Sequence, residues 1–412
     1  MTEPAANRPT DTPPLRFGEF VTLIAALMAL GSLGIDSMLP ALPAIGASLG
    51  VVSENERQLI VTAFLIGMGL GQLIHGPLAD RFGRRPVMIV ALVVYFASNV
   101  AASLAGSFAL MLAARAVGGV AIAATRVVTI ALVRDCFTGR AMARVMSLAF
   151  IVFMIMPVLA PTFGQTILLF GEWEWIFAMT ALGTAIVVLW FAIRMPETLH
   201  PEDRRPLAPA RLARGWWRTL TDRWSLGYTL ASAALLGALY GYINSVQQIM
   251  FDTFHRPKLL VVVFAITAST MALANFLNSR LVMRLGTRVI SHVALLTQIA
   301  LSAIHLAIAL AGYETLATFI VLQALTMGCF GLATSNFSAM AMENMGHIAG
   351  SASSVQGFIG VTGGALIGAM VGQAFHGTTV PLYVGFFGAG VVALAVILVT
   401  ERGRLFRPHM LA

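Results

Sequence analysis

The sequence predicts an all-α membrane protein of twelve transmembrane helices, arranged as two six-helix bundles related by a pseudo-two-fold repeat. Apolar residues make up 58% of the 412 positions and charged residues 11%, whereas soluble globular chains carry about one-quarter charged residues. The mean hydropathy is +0.84. A helix needs about 20 apolar residues to cross a bilayer. Apolar stretches of that kind lie at 18–44, 57–76, 87–105, 108–133, 142–168, 175–194, 224–251, 259–282, 289–311, 315–340, 347–374 and 379–400.

A polar, Pro- and Arg-rich stretch over 195–223 divides these spans six and six. It has the composition of a cytoplasmic linker between two bundles, and we expect a short amphipathic piece around Trp216 and Trp217 to lie at the membrane interface. The predicted organisation is a disordered tail over 1–17, bundles over 18–194 and 224–400, the linker over 195–223, and a tail over 401–412.

The net charge of +8 and the isoelectric point near 10.3 reflect membrane topology. Arginines concentrate in alternate connections, as at Arg84 with Arg85 and at Arg134, while the intervening connections carry acids such as Glu54 and Glu172. The positive-inside rule then places both termini in the cytoplasm. This distribution argues against a nucleic-acid partner.

The string GPLADRFGRRP, from Gly76 to Pro86, lies between two apolar stretches. Its charged residues cannot lie in hydrocarbon without a large cost in free energy, so we expect a tight loop whose glycines and prolines fix its shape. The charged residues are Asp80, Arg81, Arg84 and Arg85.

The same string recurs in weaker form about 203 residues further along, where Gly286 takes the place of Gly83 and Met283 that of Asp80. Matching connections in two six-helix halves indicate a parallel repeat about an axis along the membrane normal. The retained positions are Ser279, Leu281, Arg284, Gly286 and Arg288.

Three charged residues fall clearly within predicted spans, away from the ends of the spans: Asp36, Arg115 and Arg126. Each costs at least ~2.5–3.5 kcal/mol there, which makes each a functional candidate. Asp36 is a candidate for reversible protonation; the alternatives are a static ion pair with Arg115 and an acid that reaches the outer headgroups. Arg126 either faces a central cavity or extends toward the cytoplasmic surface. In the cavity, two positive charges against one negative would favour anionic or neutral substrates.

Two further sets of residues are candidates for the cavity lining and for helix bending. The first set either lines a polyspecific cavity or forms hydrogen bonds between helices; the second bends helices or lets them approach closely. The candidates for the cavity lining are Tyr240, Tyr242, Asn244, Gln247, Asn275 and Asn336, and those for bending and packing are Pro157, Pro161, Gly164, Gly360 and Gly364.

The signature string resembles the loop that links the second and third helices of major facilitator superfamily transporters. The strings IDSMLPALPAI (35–45), LVRDCF (132–137), APTFGQ (160–165), MPET (195–198) and GSASSVQGFIGVTGGALIG (350–368) resemble the Bcr/CflA branch of drug:proton antiporters. The fifth span departs from the usual antiporter motif G-P-x-x-G-G, because Gln165 follows Gly164.

This resemblance implies a switchable latch. Asp80 would lie at the start of the eleventh helix and Arg84 near Asp135 at the end of the fourth, and Gly76, Arg81, Gly83, Arg85 and Arg134 complete the latch set. The motif R-x-x-x-G, from Arg115 to Gly119, would serve proton coupling together with Asp36, or structure. The implied protein is a monomer of the bacterial inner membrane that binds a small molecule and protons and needs no cofactor beyond the proton gradient.

The expected function is therefore proton-coupled efflux of small amphiphilic compounds, with proton-coupled import of a specific metabolite as the alternative. An ATP-driven pump or a membrane enzyme fits less well. Lys258 is the only lysine and is followed by leucine, so that no phosphate-binding G-x-x-x-x-G-K-[ST] loop exists. The eight histidines form no H-E-x-x-H motif.

Overall fold

The structure, a computed structural model, describes residues 15–137, 139–204 and 206–406, apart from some side chains between 139 and 157 and that of 347. All regular elements in these ranges are helical. In chain order they are α1 (Phe17–Asp36), α2 (Leu42–Ser48), α3 (Leu59–Phe82), α4 (Arg84–Ser103), α5 (Phe108–Cys136), α6 (Gly139–Ile167), α7 (Glu174–Arg194), α8 (Pro209–Thr221), α9 (Arg223–Gln248), α10 (Leu260–Leu285), α11 (Thr287–Leu310), α12 (Leu316–Ala341), α13 (Ala349–Phe358), α14 (Gly364–Gln373) and α15 (Val380–Thr400).

Eleven helical stretches of the described chain are long and apolar enough to cross a membrane. They include α4 and α5, which are separate helices, as the pattern over 87–133 predicts. Helix α6 is a further helix of 29 residues. The protein is thus a multi-pass, all-helical membrane protein.

Two predicted spans contain a break in the α-helix. The first span, expected as one stretch over 18–44, stops at Asp36 and continues through a 3₁₀ turn at Leu39–Ala41 into α2. Pro40 and Pro43 lack the backbone N–H that a continuous helix needs. The eleventh span contains a π-helical turn at Ile359–Gly363 between α13 and α14.

The loop predicted over Gly76–Pro86 is wrong. Helix α3 continues through Pro77 as far as Phe82, and α4 begins at Arg84, so Gly83 alone separates the two helices. Gly83 has a φ angle of +105°, which residues with a side chain rarely adopt. A helix can carry the charged residues of this string because they lie beyond the apolar part of α3 or pair with other residues. Gly286 forms the same one-residue break between α10 and α11, with φ of +80°.

Residues 17–194 form the first half of the molecule and residues 223–400 the second half. In the first half α5 packs on α3 and α4, α4 packs on α7, and α1 packs on α6. In the second half α9 packs on α12, α14 and α15, and α12 packs on α10 and α11. Across the halves α3 lies against α13 and α14, and α6 lies against α10.

Helices α3 and α5 approach each other so closely that their contact requires glycine. A Cβ atom at Gly119 would overlap the carbonyl oxygen of Phe64, and one at Gly67 would overlap that of Ala116. Close backbone approach through small residues is how helices associate in lipid, where no hydrophobic effect drives them together.

The predicted bending residues of the fifth span lie in α6. A Cβ atom at Gly164 would overlap the carbonyl oxygen of Ser37, so this glycine lets α6 pack on the break after Asp36. Pro161 is buried, and the side chain of Pro157 lies outside the described residues.

The linker contains α8, a helix at the place where an amphipathic piece was expected. Its Trp217 side chain is 70% exposed, while Gly215 is buried against Ser351 of α13. The helix is therefore docked on the second half and presents an aromatic ring to its surroundings.

We expect Gly119→Ala to lower stability by about 1–3 kcal/mol, because the added methyl group would force α3 away from α5. Thermal unfolding of the purified chain in detergent measures this. The matched control is Gly183→Ala in α7, where a Cβ atom meets nothing within 4 Å; alanine favours a helix there. Equal unfolding midpoints for the two variants would show that the close approach is not required.

Candidate functional site

Asp36 is a buried carboxyl at a helix break. It is the last residue of α1 and is 6% exposed. Within the described chain its carboxylate has no hydrogen bond and no ion pair. No counter-ion fixes its charge, and a proton can therefore exchange there without the rupture of an ion pair.

Arg115 does not pair with Asp36, although the sequence left that alternative open. Its guanidinium donates a hydrogen bond of 2.5 Å to the carbonyl oxygen of Gly34 and lies 4.1 Å from the ring centroid of Phe64. Phe177 lies on a second side, at 5.6 Å. The residue is 3% exposed. Arg115 is therefore held against the end of α1 by a backbone carbonyl and aromatic faces.

Arg126 and Tyr240 face each other across the two halves. Arg126 is exposed on α5, and both its charge and that of Asp36 act on the phenol of Tyr240 in α9. Tyr240 packs on Gly364 of α14, where a Cβ atom would lie 3.2 Å from its ring. Asp36, Arg126 and Tyr240 thus bring a carboxyl, a guanidinium and a phenol to the space between the halves.

The other predicted cavity residues divide into two kinds. Tyr242 bonds to Thr267 of α10 at 3.3 Å, and Asn336 donates to Asn278 at 2.9 Å. Asn275 accepts from Ser335 at 2.5 Å. These contacts join helices within the second half, as expected for the alternative in which the residues form hydrogen bonds between helices. Asn244 and Gln247 are 1% and 3% exposed.

Asn244 keeps both polar atoms of its amide without a hydrogen-bond partner in the described part of the chain. Asn244 lies on α9 beside Gly372 of α14. A buried amide without partners is costly, which makes Asn244 the best placed of the predicted amides to receive a polar group from a ligand.

A carboxylate cluster surrounds Arg84 at the start of α4. The Arg84 side chain is 5% exposed and lies 3.1 Å from Asp135 and 2.5 Å from Asp80. The expected proximity of Arg84, at the start of α4, to Asp135, at the end of α5, is therefore present. Asp80 is 44% exposed and has no described contact with the second half.

Glu197 completes this cluster, and the sequence did not identify it. Its carboxylate accepts the backbone N–H groups of Arg84 at 2.9 Å and Arg85 at 3.2 Å, which begin α4 and have no partner within the helix. It also accepts those of Thr198 and Leu199, each at 2.9 Å. Glu197 is the acid of the string MPET, but nothing in the sequence pattern of the linker predicts that its side chain contacts the start of α4.

The remaining latch residues lie around this cluster. Arg85 donates to the carbonyl oxygen of Ala192 at 2.6 Å, and Gly76 lies inside α3. Arg81 and Arg134 are exposed and form no ion pair within the residues that the structure describes.

The second half repeats the cluster with different acids. Arg288, 7% exposed in its side chain, lies 3.1 Å from Glu343 after α12 and 3.0 Å from Glu401 after α15. Tyr228 donates to Glu401 at 2.5 Å. Each half therefore holds one buried arginine between carboxylates from two other segments.

Side-chain amides join the halves at the end opposite Gly83, here called the Gln58 end. Gln58 donates to Gln248 of α9, and to the carbonyl oxygen of Gly372 at 3.1 Å. Asn55 donates to the carbonyl oxygens of Gln373 and Phe375, each at 2.9 Å. The two halves are thus closed against each other at this end. No pattern in the sequence identified the polar residues of this contact.

A family model described as Major Facilitator Superfamily matches residues 22–369 of the sequence. The chain belongs to the Major Facilitator Superfamily.

Relatives within the superfamily agree with the Bcr/CflA branch. A bicyclomycin resistance protein homolog of Haemophilus influenzae is 31% identical over 93% of this chain and 96% of the relative. The multidrug resistance protein MdtL of Klebsiella pneumoniae is 28% identical over 94% and 96%. An uncharacterized MFS-type transporter, YdgK, of Bacillus subtilis is 30% identical over 90% and 92%.

A solved structure supports the superfamily fold. The crystal structure of the human organic anion transporter MFSD10 (TETRAN) has a TM-score of 0.68 with 19% identity, over 94% of this chain and 100% of that one. At this identity the similarity concerns the fold alone. The protein is thus a transporter of this superfamily and is not expected to be an enzyme.

We expect Glu197→Ala to destabilise the protein by about 1–3 kcal/mol, because it leaves two N–H groups at the start of α4 and two more in the linker without their acceptor. The unfolding midpoint of the purified chain measures this. Glu202→Ala, an exposed acid five residues further along the linker, is the control and should have no effect. A midpoint for Glu197→Ala equal to the control would contradict the capping role.

Proposed function

We propose that this protein exports small amphiphilic compounds in exchange for protons. The observation that carries this proposal is Asp36: an acid without a counter-ion, at a break in α1, whose charge acts on Tyr240 of the opposite half. The names of the relatives, bicyclomycin resistance and multidrug resistance, support export of drug-like molecules.

In the proposed architecture α6 is the fifth span and brings the number of spans to twelve, and the halves are six-helix bundles joined by the linker over 195–223. The Gly83 end, which carries most of the arginines, faces the cytoplasm together with both termini. The Gln58 end then faces outward. Its amide contacts close this end, and Asp80 at the other end has no described contact with the second half. We propose that this is an inward-facing conformation of an alternating-access cycle and that the protein acts as a monomer.

Substrate and proton would use neighbouring sites in the space between the halves. Protonation of Asp36 removes its charge beside Tyr240 and Arg126, and that change alters which compounds the space accepts. Exchange requires substrate and proton to bind in alternation, so substrate would bind with Asp36 ionised. The positive charges of Arg115 and Arg126 then outnumber this one negative charge, which favours neutral or anionic amphiphiles over cations. Asn244 offers these compounds a hydrogen-bonding group.

Asp80 would act as a latch in the opposite conformation. Going from Gln58 toward Gly83, α3 meets Gly372, then Thr362 opposite Gly69, then Gly357 opposite Gln72. Along these contacts α3 runs antiparallel to the segment from α13 to α14 with a nearly constant register. Asp80 therefore lies level with the first turn of α13. The N-terminus of a helix attracts a carboxylate. Closure of the Gly83 end would therefore let Asp80 engage α13.

We expect Asp36→Asn to abolish gradient-driven transport in proteoliposomes while leaving downhill movement of substrate, because asparagine cannot exchange a proton. The measurement imposes a pH gradient and follows a fluorescent amphiphile. Accumulation of the substrate opposite to proton flow supports antiport. Movement of the substrate in the same direction as the protons would instead support symport, the import alternative. Coupling that persists in Asp36→Asn would exclude Asp36 as the proton site. Asp252→Asn, an acid at the Gln58 end, is the control.

We expect Asp80→Ala to insert and fold normally but to transport about 2 to 30 times more slowly, which corresponds to the loss of ~0.3–2 kcal/mol between a carboxylate and a helix N-terminus. Initial rates at equal protein amounts measure this. Asp80→Glu keeps the charge and should retain most of the rate. An Asp80→Ala rate equal to wild type would remove the latch from the mechanism.

A further inference from the structure

A stripe of polar side chains lies inside the second half, away from Asp36 and from the space between the halves. Gln298, Ser302 and His305 follow one another at intervals of four and three residues, which places them on one face of α11. All three are 0% exposed. None of them was predicted from the sequence as a functional residue.

His305 and Glu314 form a buried pair at one end of this stripe. The Nε2 atom of His305 lies 2.7 Å from Glu314, whose side chain is 10% exposed. Glu314 also accepts a hydrogen bond from Thr379, just before α15. The imidazole stacks on Tyr383 with ring centroids 3.5 Å apart, and Tyr383 in turn donates to Gln323 of α12 at 3.2 Å. Three helices thus converge on this pair.

Several polar atoms along the stripe have no hydrogen-bond partner in the described chain. They are the Nδ1 atom of His305, the hydroxyl of Ser302, both amide atoms of Gln298 and the Nε2 atom of Gln323. An unsatisfied buried polar atom costs about 1–3 kcal/mol, and buried water commonly supplies the missing bonds. Four such side chains on adjoining faces provide the several polar partners that a buried water molecule needs.

We infer that α11, α12 and α15 enclose a hydrated proton-binding site, in which His305 and Glu314 exchange a proton with the aqueous phase at the Gln58 end. In the neutral form Nε2–H of His305 donates to the Glu314 carboxylate and Nδ1 accepts from water. A proton taken from water binds Nδ1, and the imidazolium then lies beside the carboxylate. The charge of the pair changes from −1 to 0.

The surroundings contain few other charges that act on this pair. Along α11 and α12 the neighbours at this level are Phe319, Gln323 and Ser302. Tyr383 of α15 is the titratable group in contact, and Tyr242 of α9 acts on Tyr383 from further away. In the other direction Leu295, also 0% exposed, separates Gln298 from the Arg288 cluster. Glu314, whose side chain is 10% exposed, is therefore the member of the site with access to the surface at the Gln58 end.

The test is ¹⁵N NMR of the full chain, labelled at histidine and reconstituted in lipid vesicles. The resonance lost in His305→Gln identifies His305 among the eight histidines. We expect it to change from protonated to neutral as the pH is raised from 5 to 9. Glu314→Gln should reduce the protonated fraction at a given pH, since the counter-charge is gone. Glu172→Gln, an exposed acid in the connection between α6 and α7, should leave the titration unchanged.

A His305 resonance that stays in one form from pH 5 to 9, or that ignores Glu314→Gln, would overturn the inference. Glu314→Gln preserves the shape of the side chain and its acceptor for Nε2–H, so a folded variant is expected. The water is tested by Ser302→Ala. In a hydrated site the change lowers the unfolding midpoint; in a dry site it removes an unsatisfied hydroxyl, and an unchanged or higher midpoint would contradict hydration. Neither readout depends on transport or on Asp36.

Discussion

The bilayer core offers no water to a polar group, and the arrangement of this protein follows from that constraint. Buried charge is tolerated where the chain itself supplies the partner. Arg84 and Arg288 each stand at the start of a helix between two carboxylates, and Arg115 has a backbone carbonyl and two aromatic rings. Against this background a polar group without a partner is informative. Asp36, Asn244 and the stripe on α11 are among the places where the described chain keeps polarity that it does not itself satisfy.

The sequence was sufficient for the helices and for part of the Arg84 cluster. Hydropathy fixed the positions of the spans, since a bilayer imposes both length and composition on each crossing. The proximity of Arg84 and Asp135 could be expected because family resemblance supplied the pairing of two separated segments. Asp36, Arg115 and Arg126 could be identified because ionisable residues are rare within spans.

Other features could not be read from local pattern. Glu197 caps α4 from a polar linker, and a linker has no hydrophobic periodicity from which its contacts could be predicted. The signature string looked like a loop because Gly, Pro and charge are loop residues, yet a helix that leaves the apolar layer can carry all three. His305 and Glu314 are nine positions apart in sequence, but only the fold shows that α15 closes over them. For Tyr242, Asn275 and Asn336 the sequence left two alternatives open, since polar residues within spans also serve to join helices, and only the fold shows which contacts they make.

The hydrogen bonds that close the Gln58 end are made by neutral groups: the side chains of three glutamines and an asparagine, and backbone carbonyls. Amide hydrogen bonds carry no net charge, so their strength does not change as carboxyls and imidazoles titrate, and salt screens them little. The membrane potential likewise does no work on them, because no charge moves when they break. At the same end Asp252 of the second half interacts with the charges of Glu54 and Arg57 of the first half. Acid and salt therefore act on closure at this end through those charged residues and leave the amide contacts unchanged.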